Sequence, residues 1–254
     1  MKFLRLLPII GTYFFLYLPV AVLVVFSFNT KSFPSPWSGF TMHWYKELFH
    51  SSELMGALFN SLIIALSSTA ISLAMGVLLI FYRASGGRVS KFLSLYYGNL
   101  VIPETFLAVG LIGYFTMLSV PLGMPTLITA HTVLGLGFVI PVLYTRYLAL
   151  DPRLREASLD LGASPLQTFF KITLPQLRPS MIATGLLVFI ISFDDFILSY
   201  FCAGANVKTL SLYLLSLIRT GISPVVNALS AVLLLLSCTL VAIFFSPKIR
   251  SRIF

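Results

Sequence analysis

Residues 151–175, DPRLREASLDLGASPLQTFFKITLP, form the most informative segment of this chain. It is a polar, charged interruption between two long apolar runs. Within it, Glu156-Ala157-Ser158 is followed by Gly162 and then by Ile172-Thr173-Leu174-Pro175. A loop that only connects two membrane helices does not need this spacing. We therefore interpret the stretch as an elbow of two short helices that is presented to a partner.

The elbow carries clear helix-start signals. Asp151-Pro152 places a capping side chain before a proline that suits the first helical position. The helix that begins there is expected to end at Gly162, and Ser164-Pro165 repeats the same signal for a second short helix. Leu174-Pro175 and Pro179 then mark the return of the chain to the membrane.

Composition places the rest of the chain in a lipid bilayer. Hydrophobic residues make up 58% and charged residues only 10% of the 254 residues, and the mean hydropathy is +0.97. Because a soluble domain carries roughly 25% charged residues, this chain cannot be solvated on all sides. We expect an integral membrane protein with one transmembrane domain over residues 1–254 and a cytoplasmic coupling loop within 151–178.

Six apolar runs are long enough to cross about 30 Å of hydrocarbon at roughly 20 residues each. Glycine and proline dilute the third and fourth runs, which membrane helices tolerate when their neighbours satisfy the freed backbone groups. We predict an all-α membrane protein with six transmembrane helices. The predicted spans are Leu6–Phe28, Asn60–Tyr82, Phe92–Met117, Thr126–Leu148, Met181–Phe201 and Val225–Phe245.

The basic residues predict the orientation, because Lys and Arg accumulate in cytoplasmic loops. With six spans, 13 of the 17 Lys and Arg residues fall on one side: Lys2, Arg5, Arg83, Arg88, Lys91, Arg146, Arg153, Arg155, Lys171, Arg178, Lys248, Arg250 and Arg252. The other side receives Lys31, Lys46, Lys208 and Arg219. Both termini and the elbow are therefore expected in the cytoplasm, and the net charge of +9 is a topology signal rather than a footprint for nucleic acid.

Three acidic residues fall inside the predicted spans. Glu104 lies in the third span, and Asp194 and Asp195 are adjacent in the fifth, with Phe193 and Tyr200 close by. A carboxylate at the bilayer centre costs roughly 2.5–3.5 kcal/mol on insertion scales, so such residues usually face a cavity or a partner. Carboxylates beside aromatic rings suit an organic cation. The alternative is an intramembrane salt bridge or a set of buried hydrogen bonds.

Adjacent helical residues point about 100° apart, so Asp194 and Asp195 cannot both face one pathway. We expect one to face the pathway and its neighbour to meet a partner subunit or a helix N-terminus. His131 is expected to pack between helices or to form an interfacial hydrogen bond. Cys202 and Cys238 have neither metal-ligand spacing nor a disulfide framework, so we expect no metal site and assign both to packing.

The predicted outer loop between the first two spans contains an amphipathic helix over Met42–Phe49. It places Trp44, Tyr45, Leu48 and Phe49 near one face. Such a helix is typical of an aromatic anchor in the headgroup region, and a docking face for an external partner is the alternative.

Nearly the whole chain resembles the spermidine/putrescine ABC importer family, specifically its second (C-type) permease subunit. Two details depart from the family pattern: Ser158 stands where alanine is usual, and Pro103-Glu104 stands where Pro-Asp is usual. The coupling-loop spacing alone marks an importer permease, and the other motifs narrow it to polyamines. The motifs that carry the resemblance are Ser27-Phe28-Asn29, Gly39-Phe40-Thr41 with Trp44-Tyr45, Glu156 to Pro175, Ser192-Phe193-Asp194-Asp195, and the segment from Gly221 through Pro224 and Asn227 to Leu229.

The resemblance implies a type I (MetI-like) importer permease in the bacterial cytoplasmic (inner) membrane. It implies four partners: a homologous permease that completes a heterodimer, two ATPase subunits, and an extracytoplasmic polyamine-binding protein. ATP-Mg would be bound by the ATPase subunits, since this chain has no G-x-x-x-x-G-K-[ST] loop, and no cofactor is expected in it. The implied pathway residues are Glu104, Phe193, Asp194, Asp195 and Tyr200, and the implied ATPase-coupling residues are Glu156, Ala157, Ser158, Gly162, Ile172, Leu174 and Pro175.

Three other functions compete with this interpretation. An importer permease for ferric ion, thiamine or a phosphonate would keep the coupling loop without needing the membrane acids. A channel or secondary transporter would work without an ATPase. An intramembrane aspartyl protease needs two acids on separate helices, which the adjacent Asp194 and Asp195 fit poorly.

Overall fold

The structure, a computed structural model, describes residues 2–31, 35–220 and 224–244. Some predicted features lie outside these residues: Pro34 in the outer loop, the Gly221–Ser223 part of the resemblance, and the basic residues Lys248, Arg250 and Arg252. The described chain is nearly all helix, and its one β feature is an isolated bridge between Asn29 and Phe40. The helices are α1 Lys2–Phe26, α2 His43–His50, α3 Ser52–Ala84, α4 Ser90–Asn99, α5 Glu104–Met117, α6 Met124–Leu148, α7 Pro152–Asp160, α8 Pro165–Thr168, a π-helical turn Phe169–Thr173, α9 Leu174–Asp194, α10 Ile197–Cys202, α11 Leu210–Thr220 and α12 Pro224–Phe244.

The chain divides into two compact units. The first comprises Met1–Met55 and Tyr213–Phe254. In its described part, α12 packs against both α1 and α2. The predicted outer helix over Met42–Phe49 is confirmed as α2.

The second unit, Gly56–Leu212, contains both regions singled out from the sequence. Its central helix is α6, which packs against α9, α4 and α10. Glycine allows a close approach here, because a Cβ on Gly135 of α6 would lie 2.6 Å from Ser72 Oγ of α3 and 2.8 Å from Val188 Cγ1 of α9. Small residues at such crossings let membrane helices approach closely.

Four helices among the described residues are long and apolar enough to cross a membrane, at Pro8–Phe26, Ser52–Ala84, Met124–Leu148 and Pro165–Asp194. Three further apolar helices are shorter, at Glu104–Met117, Leu210–Arg219 and Pro224–Leu235. The all-helical membrane fold is therefore confirmed. The count of six spans stays a prediction.

Two predicted spans were wrong as single helices. The third, Phe92–Met117, is interrupted between α4 and α5 because Pro103 lacks an N–H and pushes the residue before it away from helical geometry. The fifth, Met181–Phe201, stops at Asp194. Asp195 follows in an extended conformation with φ −63° and ψ 130°, and α10 begins two residues later.

The second helix of the elbow was predicted to be short and to end before the chain returns to the membrane at Leu174-Pro175, and this was wrong. From Pro165 to Asp194 the chain is helical without interruption, and a π-turn precedes the proline. In this turn the Leu174 N–H donates to the carbonyl of Phe169, five residues back. The wider turn accommodates a proline that cannot continue the regular hydrogen-bond ladder.

Candidate functional site

The predicted elbow forms at Gly162, between the short helix α7 and the start of the continuous helical run that begins at Pro165. The Asp151 carboxylate accepts a hydrogen bond from the Arg153 N–H at 3.0 Å, which caps α7. Gly162 follows α7 with φ +86°, a left-handed conformation that glycine adopts without strain. The second helix starts with a reciprocal pair in which Ser164 N–H donates to Gln167 Oε1 at 2.9 Å and Gln167 N–H donates to Ser164 Oγ at 3.2 Å.

Two side-chain contacts tie the elbow to its own unit. Ser158 Oγ lies 2.9 Å from Thr168 Oγ1, so the hydroxyl joins α7 to the end of α8. The Arg155 guanidinium donates to the carbonyl of Ala84 at 2.6 Å. Ala84 is the last residue of α3, where unpaired carbonyls favour a positive charge. Movement of α7 is therefore linked directly to the end of α3.

The elbow has apolar side chains that its own unit does not cover. Leu161, Leu166 and Phe170 are 89%, 54% and 56% exposed. Glu156 and Ala157 lie in the same exposed segment, whereas the predicted coupling residues Ser158, Ile172, Leu174 and Pro175 are half-buried. Contiguous exposed apolar groups rimmed by charge mark interaction sites.

The two adjacent aspartates have different surroundings. The side chain of Asp195 is 2% exposed, and its two oxygens accept the N–H groups of Leu198 at 3.4 Å and Ser199 at 3.0 Å. Asp195 therefore caps α10, which agrees with the expectation that one of the pair meets a helix N-terminus. Asp194, the last residue of α9, is exposed. We see no hydrogen bond of its side chain within the described residues.

Glu104 and Asp195 come together from different parts of the chain. Glu104 is the first residue of α5 and is half-buried, and its side chain lies next to that of Asp195. Two carboxyl groups in contact repel each other unless a proton or another cation lies between them. The pair is therefore a place where an organic cation can replace a shared proton.

The predicted aromatic residues Phe193 and Tyr200 each contact another ring. Phe193 stacks on Phe189 with ring centroids 5.8 Å apart, one turn back on α9. Tyr200 contacts Phe196 at 5.6 Å. Phe196 and Tyr200 are 38% and 52% exposed, so these two rings share an open surface on α10.

Three residues that lie around Asp195 were not identified as site residues from the sequence. His131 of α6 is 1% exposed; its Nδ1 lies 2.7 Å from Ser192 Oγ and its Nε2 lies 3.4 Å from Asp195 Oδ2. Ser192 Oγ also lies 3.1 Å from Ser68 Oγ of α3. Ser192 stood in the quoted Ser192-Phe193-Asp194-Asp195 motif, but nothing in the spacing of His131 or Ser68 linked them to it.

Two polar residues that precede α2 in the first unit form hydrogen bonds with aromatic side chains of α2. Ser27 Oγ lies 2.7 Å from the hydroxyl of Tyr45, and Trp44 Nε1 donates to the Asn29 carbonyl at 2.8 Å. Leu48 is 1% exposed, whereas Phe49 is 61% exposed. The polar atoms of the two rings thus stabilise the loop itself, and whether α2 anchors the chain in the headgroup region stays a prediction.

Within the described residues, no group of three or more His, Cys, Asp or Glu side chains has the arrangement of a metal site. His131, Glu104 and Asp195 are therefore treated as a polar network.

Comparison with known proteins gives a consistent result. The chain is 34% identical over 245 residues, covering 95% of both chains, to the spermidine/putrescine transport system permease protein PotC of Haemophilus influenzae. It is 33% identical over 241 residues, covering 91% of this chain and 85% of the relative, to the putrescine transport system permease protein PotI of Escherichia coli K12. No protein-family model matches the chain.

A solved structure has the same fold. In a bacterial ABC transporter that imports the acidic polysaccharide alginate, one chain aligns with a TM-score of 0.73 over 96% of this chain and 92% of that one. The identity is 18%, so the likeness concerns the fold alone. An importer of an acidic polysaccharide shares this architecture, which means that the fold does not decide the substrate.

Proposed function

Because this chain belongs to the spermidine/putrescine permease family of ABC importers, we propose that it forms part of the membrane pathway for a polyamine cation. It is a transport subunit and not an enzyme. The observation that supports this substrate class is that the side chains of Glu104 and Asp195 are neighbours. A protonated amine supplies positive charge and several N–H donors, and both favour a pair of carboxyl groups.

The two aspartates then have separate tasks. Asp194 offers an exposed carboxylate at the end of α9, and the exposed rings of Phe196 and Tyr200 follow two and six residues later in the chain. A cation is attracted to carboxylates and to aromatic faces alike. Asp195 gives the pathway a buried charge that is held in place by backbone N–H groups, with Glu104 as its neighbour. A polyamine carries several ammonium groups and can contact both places in turn.

The elbow is the proposed docking site for an ATPase subunit. Its exposed Leu161, Leu166 and Phe170 supply apolar contacts, and Glu156 at the same surface supplies charge. The full assembly would contain a homologous permease as the other half of a heterodimer, two ATPases that bind ATP-Mg, and a polyamine-binding protein outside. Both termini and the elbow would lie in the cytoplasm.

Transport follows from these parts by alternating access. Closure of the ATPase subunits on ATP pushes the elbow, and Arg155 passes this movement to the end of α3 through the Ala84 carbonyl. The membrane helices open to the outside and receive the amine from the binding protein. Hydrolysis of ATP then returns the pathway to its inward-facing state.

A permease for another substrate is the second candidate function. An anionic substrate, such as a phosphonate, would be repelled by Glu104, Asp194 and Asp195. A ferric ion would need a cluster of ligands, and such a cluster is not seen among the described residues. These observations favour an organic cation.

Reconstitution of the four-component transporter tests the proposal. Proteoliposomes that contain the permease pair and the ATPases should accumulate labelled spermidine or putrescine only when ATP and the loaded binding protein are both supplied. Excess unlabelled polyamine should compete, and an equal concentration of a phosphonate should not. Uptake without ATP, or competition by the phosphonate alone, would contradict the proposal.

A further inference from the structure

His131 is a buried titratable side chain that the transport mechanism has not yet used. Its ring is 1% exposed, and its Nε2 has no hydrogen-bond partner although it lies 3.4 Å from Asp195 Oδ2. A buried polar atom without a partner carries a desolvation cost. Such an atom in a native structure calls for an explanation, and a functional role is one of the established ones.

The hydrogen bonds around the ring fix which way its protons point. Both oxygens of Asp195 accept backbone N–H groups, so Asp195 faces His131 as an acceptor. An Nε2 without a proton would place a lone pair against that oxygen. Nε2 therefore carries a proton, and in the neutral ring Nδ1 must then accept from Ser192 Oγ, 2.7 Å away. Ser68 Oγ lies 3.1 Å from Ser192 Oγ, and its hydroxyl also donates to the Ala65 carbonyl at 3.2 Å, which fixes Ser68 beside Ser192.

We propose that His131 is a positioning residue for the acidic pair: oriented by Ser68 and Ser192, it aims its Nε2–H at Asp195 and holds that carboxylate in place. This inference rests on the proposed polyamine function and deepens it. When the amine replaces the proton between Glu104 and Asp195, Asp195 is free to shift away from Glu104. The imidazole N–H, 3.4 Å away, is then in place to complete a hydrogen bond and keep the carboxylate directed at the amine.

Two substitutions distinguish a hydrogen-bonding role of His131 toward Asp195 from a role in packing alone. His131→Gln keeps an N–H donor near the position of Nε2 and gives up the contact with Ser192. His131→Asn keeps a polar group near the position of Nδ1 and cannot reach Asp195. Thr132→Val is the matched control, because Thr132 is the next residue on α6, is also buried, and its side-chain hydroxyl donates to the Ile128 carbonyl of the same helix.

The measurement is the number of polyamine molecules imported per ATP hydrolysed in the reconstituted transporter. His131→Asn should lower this ratio about tenfold, the usual effect of losing a hydrogen bond to a charged group. His131→Gln should restore most of the ratio, and Thr132→Val should match the wild type. In an Asp195→Asn background, His131→Asn should have little further effect, because coupled residues are not additive.

Two outcomes would overturn the inference. Equal import ratios for His131→Asn and His131→Gln, whether normal or reduced, would mean that the His131 ring only fills space. A full additional loss in the Asp195→Asn background would mean that His131 does not act through Asp195.

If His131→Asn does not assemble, Ser192→Ala is measured in its place. This variant removes only the hydroxyl that orients the His131 ring, and it should lower the import ratio severalfold. Absence of polyamine import by the wild type would instead refute the proposed function itself.

Discussion

At the scale of single residues, the adjacent aspartates show how neighbours in sequence acquire opposite surroundings. Asp194 ends α9 and is exposed, whereas Asp195 turns the chain, caps α10 and contacts Glu104. The aspartates were predicted to point in different directions from helical geometry alone. The identity of the buried member required the structure, because both residues have the same chemistry and the helix end lies between them.

Substitutions of Asp194 and Asp195 should distinguish the effect of the carboxylate charge on uptake from the effect of the α10 cap on stability. Asp195→Asn keeps an oxygen that can accept the Ser199 N–H, so we expect uptake to fall at least tenfold with little change in thermal stability. Asp195→Ala also removes the cap, which costs about 1 kcal/mol, and should lower the melting temperature as well. Asp194→Asn should reduce uptake without changing the melting temperature.

Uptake by liposomes and thermal unfolding of the purified complex report the two effects separately. If Asp194→Asn and Asp195→Asn both import polyamine at the wild-type rate, the carboxylates are structural and the proposed pathway is wrong.

At the scale of elements, the elbow behaves as one unit. The Ser158–Thr168 contact closes it from inside, the Arg155–Ala84 contact ties it to α3, and Gly162 sets the angle between its helices. The departure from the family pattern at Ser158 thus has a local reason, since alanine could not reach Thr168 with a hydroxyl. The start of each helix was predicted correctly because capping depends on neighbouring residues only.

Substitutions at Gly162 test whether its backbone conformation matters for coupling. Nothing lies within 4 Å of a Cβ built at this position, so φ +86° is the only constraint. Gly162→Val should be strained by roughly 1–2 kcal/mol and should lose stimulation of ATP hydrolysis by the binding protein, with membrane insertion unchanged. Gly162→Asn should retain stimulation, because asparagine tolerates the left-handed region.

The readout is ATP hydrolysis with and without the loaded binding protein. Equal loss from Gly162→Asn would mean that the ATPase approaches the bare glycine closely, and normal stimulation in Gly162→Val would refute the coupling role of this residue.

At the scale of the whole molecule, the excess of Lys and Arg on one predicted side implies an orientation in the membrane. We expect the turn after α3 in the cytoplasm and the turn after α5 outside. In a chain whose native cysteines are replaced by serine, Ser119→Cys should react with a membrane-impermeant maleimide on intact cells. Ser85→Cys should react only after permeabilisation. Labelling of Ser85→Cys in intact cells would reverse the proposed topology.

The membrane class, the helical fold and the elbow could be read from the sequence, because hydropathy, capping and turn chemistry act over a few residues. The interruptions of the third and fifth predicted spans were missed. Apolar length does not reveal that the helix before Pro103 ends at Asn99, or that α9 ends at Asp194, just before the extended Asp195. The π-turn before Pro175 was missed for the same reason, since a proline signal alone does not distinguish a break from an accommodated helix.

Hydropathy and the helix-start signals of the sequence were enough to predict a membrane protein, an all-helical fold and the elbow. The contacts between distant residues became visible in the folded chain alone. Ser68, Glu104 and His131 come from three separate helices and Asp195 lies between α9 and α10, so their contacts depend on how these segments pack. No local pattern records that arrangement, because packing is a property of the folded chain.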